Sequence, residues 1–207
     1  MNFLAHCLIA YQATSVPKPD LVAGGFLGDF IKGTVPPHLP AELAMGVRLH
    51  RRIDAFSNQL PGITGSCNRF PPALRRFAPA FVDVVADHCL ARHWARFSKE
   101  PLEAFSARTY GQIAVHDHLL PPAGARLFDY MQEVDLLASY TQRATMERAL
   151  TSITRRLRHT HLDSELAEAV EVLLADLEAD FLDYFPELVE HARDWVGAEL
   201  SAAPQSS

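Results

Sequence analysis

Residues 41–57 read AELAMGVRLHRRIDAFS, and within them VRLHRRIDAF (47–56) sets Arg48, His50, Arg51, Arg52 and Asp54 among apolar neighbours. Apolar and polar residues do not alternate there, so the stretch predicts a helix over Ala41–Ser57 and not a strand. VPPHLP (35–40) and NQLPG (58–62) bound it, because proline lacks an amide donor and restricts the residue before it. His50 and Asp54 are four apart and share one face of that helix. Arg51 and Arg52 lie about 100° and 200° around the axis from His50, so they cannot both serve one ligand equally.

The same helical periodicity holds outward along the chain. A first helix is expected from Asn2 to about Tyr11, broken by VPKPD (16–20). LVAGGFLGDFIKG (21–33) predicts a glycine-bearing helix that ends near Gly33. Beyond RFPP (69–72) a long helix is expected over Ala80–Phe97, and another over Leu102–His118 before LLPPAG (119–124). Helices follow over Ala125–Leu137 and Gln142–Leu157, then a last one over Ser164–Leu200, with a kink or break at YFPEL (184–188). The fold class expected is all-α: a single irregular helical bundle and one domain over 1–200, with SAAPQSS (201–207) a flexible tail.

The chain has 207 residues, 48% of them hydrophobic, enough for one sizeable core. A net charge of −6 argues against bulk electrostatic binding of nucleic acid. No apolar run is long enough to span a bilayer, so no membrane partner is expected. MNFLAHCLIAYQATS (1–15) has no basic segment ahead of its apolar stretch and reads as a first helix, not a signal peptide. Cys7, Cys67 and Cys89 are odd in number and have no paired spacing, which suits a reducing cytosol and offers no thiolate metal site.

A lone histidine on an apolar stripe is more often a satisfied core residue than a ligand. The combination argues otherwise. Asp29 lies among Phe26, Leu27, Phe30 and Ile31, where an unpaired carboxylate is costly to bury. Asp87 and His88 lie among Val84, Val85, Cys89 and Leu90. Carboxylates and imidazoles on several helices, Asp29, His50, Asp54, Asp87 and His88, are what a metal site in a helical bundle needs. Oxygen and nitrogen donors favour Mn²⁺, Mg²⁺ or Fe²⁺, with zinc less suited. Such an ion activates water and neutralises phosphate charge, and the neighbouring arginines match phosphate oxygens. His116 and His118, two apart in AVHDHLLPP, point to different faces and read as surface residues. There is no Walker loop, no GxGxxG after a strand and no GxSxG elbow.

MNFLAH (1–6), GGFLGDFIKG (24–33), GVRLHRRIDAFSNQLP (46–61) and DVVADHCLARHW (83–94) resemble, in order and spacing, the bacterial acyl carrier protein phosphodiesterases. The similarity is strong over residues 1–100; later helices, LEADFLDYFPELVEHA (177–192) included, agree in pattern. The resemblance implies an HD-domain-like, all-α, Mn²⁺-dependent enzyme. It implies hydrolysis of the phosphodiester joining 4′-phosphopantetheine to a serine of holo acyl carrier protein. It maps onto His6, Asp29, His50, Arg51, Arg52, Asp54, Asp87 and His88. His6, His50, Arg51 and Asp87 are then expected in catalysis; Asp29, His50, Asp54, Asp87 and His88 on the metal; Arg48, Arg52, Arg76 and Arg92 on the acidic substrate protein. Cys7 and Cys89 replace bulkier apolar residues of the family. The adjacent pair is Asp87-His88, not the His-Asp order of ordinary HD enzymes, so ligand roles do not transfer from those. A metal phosphohydrolase of a small phosphoester or nucleotide would use the same residues, and a non-enzymatic helical binding protein would use the polar cluster to hold its core.

Overall fold

A computed structural model describes residues 2–202 of the chain. Among the described residues there are twelve α-helices and no strand. They are α1 (Phe3–Gln12), α2 (Pro19–Leu27), α3 (Ala41–Ser57), α4 (Pro61–Arg69), α5 (Pro72–Arg75) and α6 (Ala78–Arg92). Then come α7 (Trp94–Phe97), α8 (Leu102–Ala114), α9 (Pro122–Glu133), α10 (Leu136–Ser139), α11 (Arg143–Arg156) and α12 (Asp163–Ala202). Short 3₁₀ turns at Asp117–Leu119 and Thr160–Leu162 complete the path. One continuous apolar cluster draws on nearly every helix, with Leu4, Leu8, Phe26, Phe81, Phe105 and Phe185 fully enclosed.

The tightest packing joins α2 to α3. A Cβ on Gly24 would stand 2.3 Å from the Leu43 carbonyl oxygen, and one on Gly46 2.3 Å from that of Leu21. The two backbones therefore touch, and only glycine fits at either position. Gly24→Ala is expected to destabilise the fold by about 1–3 kcal/mol through overpacking, outweighing the ~1 kcal/mol that alanine gains in a helix interior. Thermal unfolding followed by circular dichroism checks this. A melting temperature at or above that of the unaltered protein would show that the helices part without cost.

The element boundaries depart from expectation in instructive places. Helix α2 stops at Leu27 rather than near Gly33. Arg51 on α3 donates to the carbonyls of Ile31 (2.6 Å) and Gly33 (2.7 Å), and Gly33 takes a φ of +71°, so the segment after Gly28 is held as a turn. The expected helix over 80–97 is two: α6 ends at Arg92, and His93, its side chain hydrogen-bonded to Glu178 of α12, separates it from α7. Residues 102–118 give α8 and a 3₁₀ turn. Residues 125–137 are broken at Asp135, whose φ is +44° and whose carboxylate accepts from the Ala138 amide. Pro186 does not break α12. It lies on the exposed side, where water can take the carbonyl one turn back, while Phe181, Tyr184, Phe185 and Leu188 hold the other face in the core. Ser201 and Ala202 belong to α12 rather than to a tail; the rest of the expected tail, 203–207, lies outside the described residues.

Candidate metal centre

Helices α1 and α3 and the turn after α2 bring four of the polar residues together. His6 projects from α1, His50 and Asp54 from one face of α3, and Asp29 from the turn after α2. His6 Nε2 lies 3.1 Å from Asp54 Oδ1, and His50 Nε2 lies 3.3 Å from Asp54 Oδ2 and 3.8 Å from Asp29 Oδ1. The two imidazoles stack with centroids 3.8 Å apart. They form a buried floor, 2% and 4% exposed, while Asp29 and Asp54, 39% and 42% exposed, form an open rim. The centre is thus accessible from one side only.

Backbone geometry fixes His50. Its Nδ1 donates to the Gly25 carbonyl at 2.8 Å, which leaves Nε2 to face the carboxylates. Gly28 makes room for the ring: a Cβ there would stand 2.3 Å from His50 Cγ. A histidine held by its Nδ1–H to a backbone carbonyl with Nε2 turned to carboxylate oxygens is arranged as metal-binding histidines are. Burial, and then the neighbouring His50, push the His6 imidazole down to about 3, so it is neutral and can donate a lone pair. Burial opposes ionisation of Asp54, but hydrogen bonds to His50 and His6 outweigh it and hold the carboxyl well below its usual range. Burial pushes the Asp29 carboxyl up. His6, His50 and Asp54 offer ligand atoms within 4.8 Å of one another. Two imidazole nitrogens and carboxylate oxygens, without a thiolate, form a donor set that could hold a divalent metal ion.

The structure does not bring Asp87 and His88 into this cluster. Asp87 is fully buried on α6, and both its oxygens are engaged: Oδ2 accepts from the Leu4 amide (3.0 Å) and Oδ1 from the Ala5 amide (2.9 Å). It caps α1, whose own Asn2 makes no side-chain cap, and so positions His6 one residue further on. Burial raises its carboxyl to about 7 in spite of the two amides. His88 donates Nδ1–H to the Tyr140 carbonyl at 2.6 Å, and its Nε2 finds no partner among the described residues. Asp87→Asn leaves one helix-end amide facing an NH₂ group instead of an acceptor, at a cost of about 1–3 kcal/mol. Metal affinity is expected to fall about 10-fold or more through the misplaced His6, as when a group orienting a ligand is lost. Calorimetric titration with Mn²⁺ and a thermal melt read the two effects; unchanged values for both would remove the capping role.

The arginines divide. Arg51 lines the open side of the cluster, but its Nη atoms grip the Ile31 and Gly33 carbonyls and hold the turn that carries Asp29. Arg52 points to α12, where Nε meets His191 Nε2 at 3.1 Å. Arg48 pairs with Glu199 at 3.4 Å, and Arg92 with Glu178 at 3.6 Å. Arg76 lies over the Phe77 ring beside His159. None of these four joins the cluster. His116 is buried rather than a surface residue, with Nε2 2.8 Å from Asp20 Oδ1 at the start of α2. Sequence reasoning missed the Gly25 carbonyl and the space at Gly28; the GG pair and Gly28 in GGFLGDF were the available signal.

Two cavities meet at Asp29. One, of about 280 Å³, opens over Gly28, His50, Arg51 and Asp54. The other, of about 490 Å³, lies between the start of α1, α6 and α9–α11 and also has Asp29 in its wall.

Fold and centre together define an all-α protein with an open histidine–aspartate cluster whose ligand atoms lie close enough together to hold a metal ion. The family model for acyl carrier protein phosphodiesterase matches residues 1–188, and the chain belongs to that family. The match runs well past the four motifs, through α11 and into α12. The chain is 30% identical to the acyl carrier protein phosphodiesterase of Enterobacter sp. (strain 638) over 195 residues, 94% of this chain and 98% of that one. It is 31% identical to the protein of the same name from Salmonella dublin over 193 residues, 93% and 97% of the two chains. No solved structure matches.

Proposed function

We propose that the chain is a metal-dependent phosphodiesterase that hydrolyses the bond between 4′-phosphopantetheine and a serine of holo acyl carrier protein. The products are apo carrier protein and 4′-phosphopantetheine. The observation that carries this reading is the solvent-open His6–His50–Asp54 cluster, with Asp29 on its rim, in a chain of this family. His6, His50, Asp54 and Asp29 would hold the ion, with manganese the preferred one. A divalent cation there neutralises phosphate charge and lowers the pKa of water. Hydrolysis adds the water oxygen to phosphorus and returns a proton to the serine oxygen.

The protein residues contribute positioning. Gly25 and Gly28 set His50, Asp87 sets His6 through α1, and Arg51 sets the Asp29 turn. The His/Asp donor set is HD-like in composition, but it comes from His6, Asp29, His50 and Asp54 and not from an adjacent His-Asp pair. We take residues 1–200 as one catalytic unit, on the ground of a single continuous core. Among the described residues no helix is long and apolar enough to cross a membrane. Cys7 and Cys89 are free and buried, which suits work in the cytoplasm, where carrier protein of fatty acid synthesis is the partner. Arg76 and Arg92, exposed on the α6 side, would meet that protein's acidic surface.

Incubation with holo acyl carrier protein and Mn²⁺, followed by intact mass, tests the proposal. The carrier is expected to lose the mass of the 4′-phosphopantetheinyl group. An unchanged carrier beside turnover of a small phosphodiester would move the substrate to small phosphoesters.

A further inference from the structure

We infer that the cavity of about 490 Å³ beside Asp29 is the slot for the pantetheine arm, while the carrier protein stays outside it. The inference rests on the phosphodiesterase reading and extends it to the part of the substrate that is not phosphate. Asp29 is in the walls of both cavities, so a phosphate held at the histidine–aspartate cluster lies next to the larger one, within reach of one of its two ester arms. One ester group is a serine on a folded protein, which cannot enter a space of that volume. The other is a slender uncharged chain, and the cavity is of the size that encloses small ligands, about 300–1,000 Å³.

The lining matches that chain. Pantetheine alternates methylene and dimethyl segments with two amides, a hydroxyl and a terminal thiol. Leu127, Leu136 and Ile153 supply apolar wall, and Tyr130, Ser152 and Arg156 supply hydroxyl and guanidinium groups for the amides. Tyr140, also in the wall, is 2% exposed and doubly anchored: its hydroxyl accepts from Asn2 Nδ2 at 2.9 Å, and its carbonyl accepts from His88. This gives His88 a positioning role at the slot instead of a metal-ligand role, since it fixes the α10 end that closes the cavity. Arg156 carries no ion pair among the described residues, so its donors are free for a ligand carbonyl.

Blocking the slot tests the inference. Ser152 is exposed on α11 and Ala149 is half-buried against the core edge, so Ser152→Trp puts bulk into the cavity from the surface and Ala149→Trp from its wall. Pantetheine itself, which lacks the phosphate, is the probe, and its binding is followed by ligand-observed NMR, with thermal melts confirming that the variants fold. The unaltered protein is expected to bind pantetheine saturably, and each variant to weaken that binding about tenfold or more, a change of ~1.4 kcal/mol or more. KM for holo carrier protein is expected to rise in parallel. Equal pantetheine affinity in all three proteins, or no binding by the unaltered one, overturns the slot. The two readings fail separately. Pantetheine binding that Ser152→Trp abolishes, in a protein that leaves holo carrier intact, removes the phosphodiesterase and keeps the slot. Turnover of holo carrier without pantetheine binding does the reverse.

Discussion

Asp54→Asn is expected to lower kcat/KM for holo carrier protein by on the order of 10³-fold, since a metal supplies several kcal/mol of charge stabilisation and each ~1.4 kcal/mol is a decade. Asp54 is the residue that touches both imidazoles, His6 through Oδ1 at 3.1 Å and His50 through Oδ2 at 3.3 Å. Asparagine keeps the shape but removes the anionic charge, and it turns an NH₂ group toward one of the two nitrogens that must offer a lone pair. The cluster then has neutral donors at its centre and only Asp29 as an anion. A thermal melt follows folding, because Asp54 is 42% exposed but bonds two buried imidazoles, and losing that charged acceptor costs about 1–3 kcal/mol. The measurement is steady-state kinetics beside elemental analysis of metal per chain. A folded variant that keeps its metal and turns over at near the normal rate would place the reaction elsewhere.

How far the sequence could be read depends on where the determinant of each feature lies. Both ends of helix α3 were legible because VPPHLP and NQLPG bound it in the sequence itself. Helix α2 was not, because its end is decided by Arg51, a residue eighteen to twenty positions away that takes the Ile31 and Gly33 carbonyls. Pro186 reads as a break locally, yet α12 continues because packing on its other face outweighs one missing hydrogen bond. The cluster was half legible. The i, i+4 spacing put His50 and Asp54 on one face, and the apolar setting of Asp29 marked it as unusual, while His6 came in through the family resemblance alone. The same signal, a buried carboxylate among apolar residues, also marked Asp87, where the partners turned out to be two helix-end amides. Spacing and hydropathy report that a buried charge has a partner. They do not report whether the partner is a metal or a backbone, since that is set by contacts 82 and 83 residues apart.

Exhaustive chelation is expected to abolish turnover of holo carrier protein, with Mn²⁺ restoring it and Ca²⁺ failing to. Calcium takes 6–8 oxygen ligands, and a floor of two imidazole nitrogens cannot supply them. Manganese, iron and zinc accept mixed nitrogen and oxygen donors, with affinity rising from Mn²⁺ to Zn²⁺. Tightest binding and fastest turnover need not coincide, so the restoration series separates the ion that fits the site from the ion that serves the reaction. Binding also has a readout apart from activity. An ion that binds only the folded chain stabilises it by about 2.7 kcal/mol at 100 times its Kd. For a chain of this size that is a rise of about 5–10 °C in Tm. His6 is already neutral, held down to about 3 by burial, so no proton must leave it at neutral pH before the ion enters. The Tm rise should therefore persist down to mildly acidic pH as far as His6 is concerned, and it should vanish in Asp54→Asn. Full turnover after chelation, or an equal Tm rise in Asp54→Asn, would mean that the imidazole pair and its carboxylates are a buried polar brace between α1 and α3 and that the ion, if one is used, binds elsewhere.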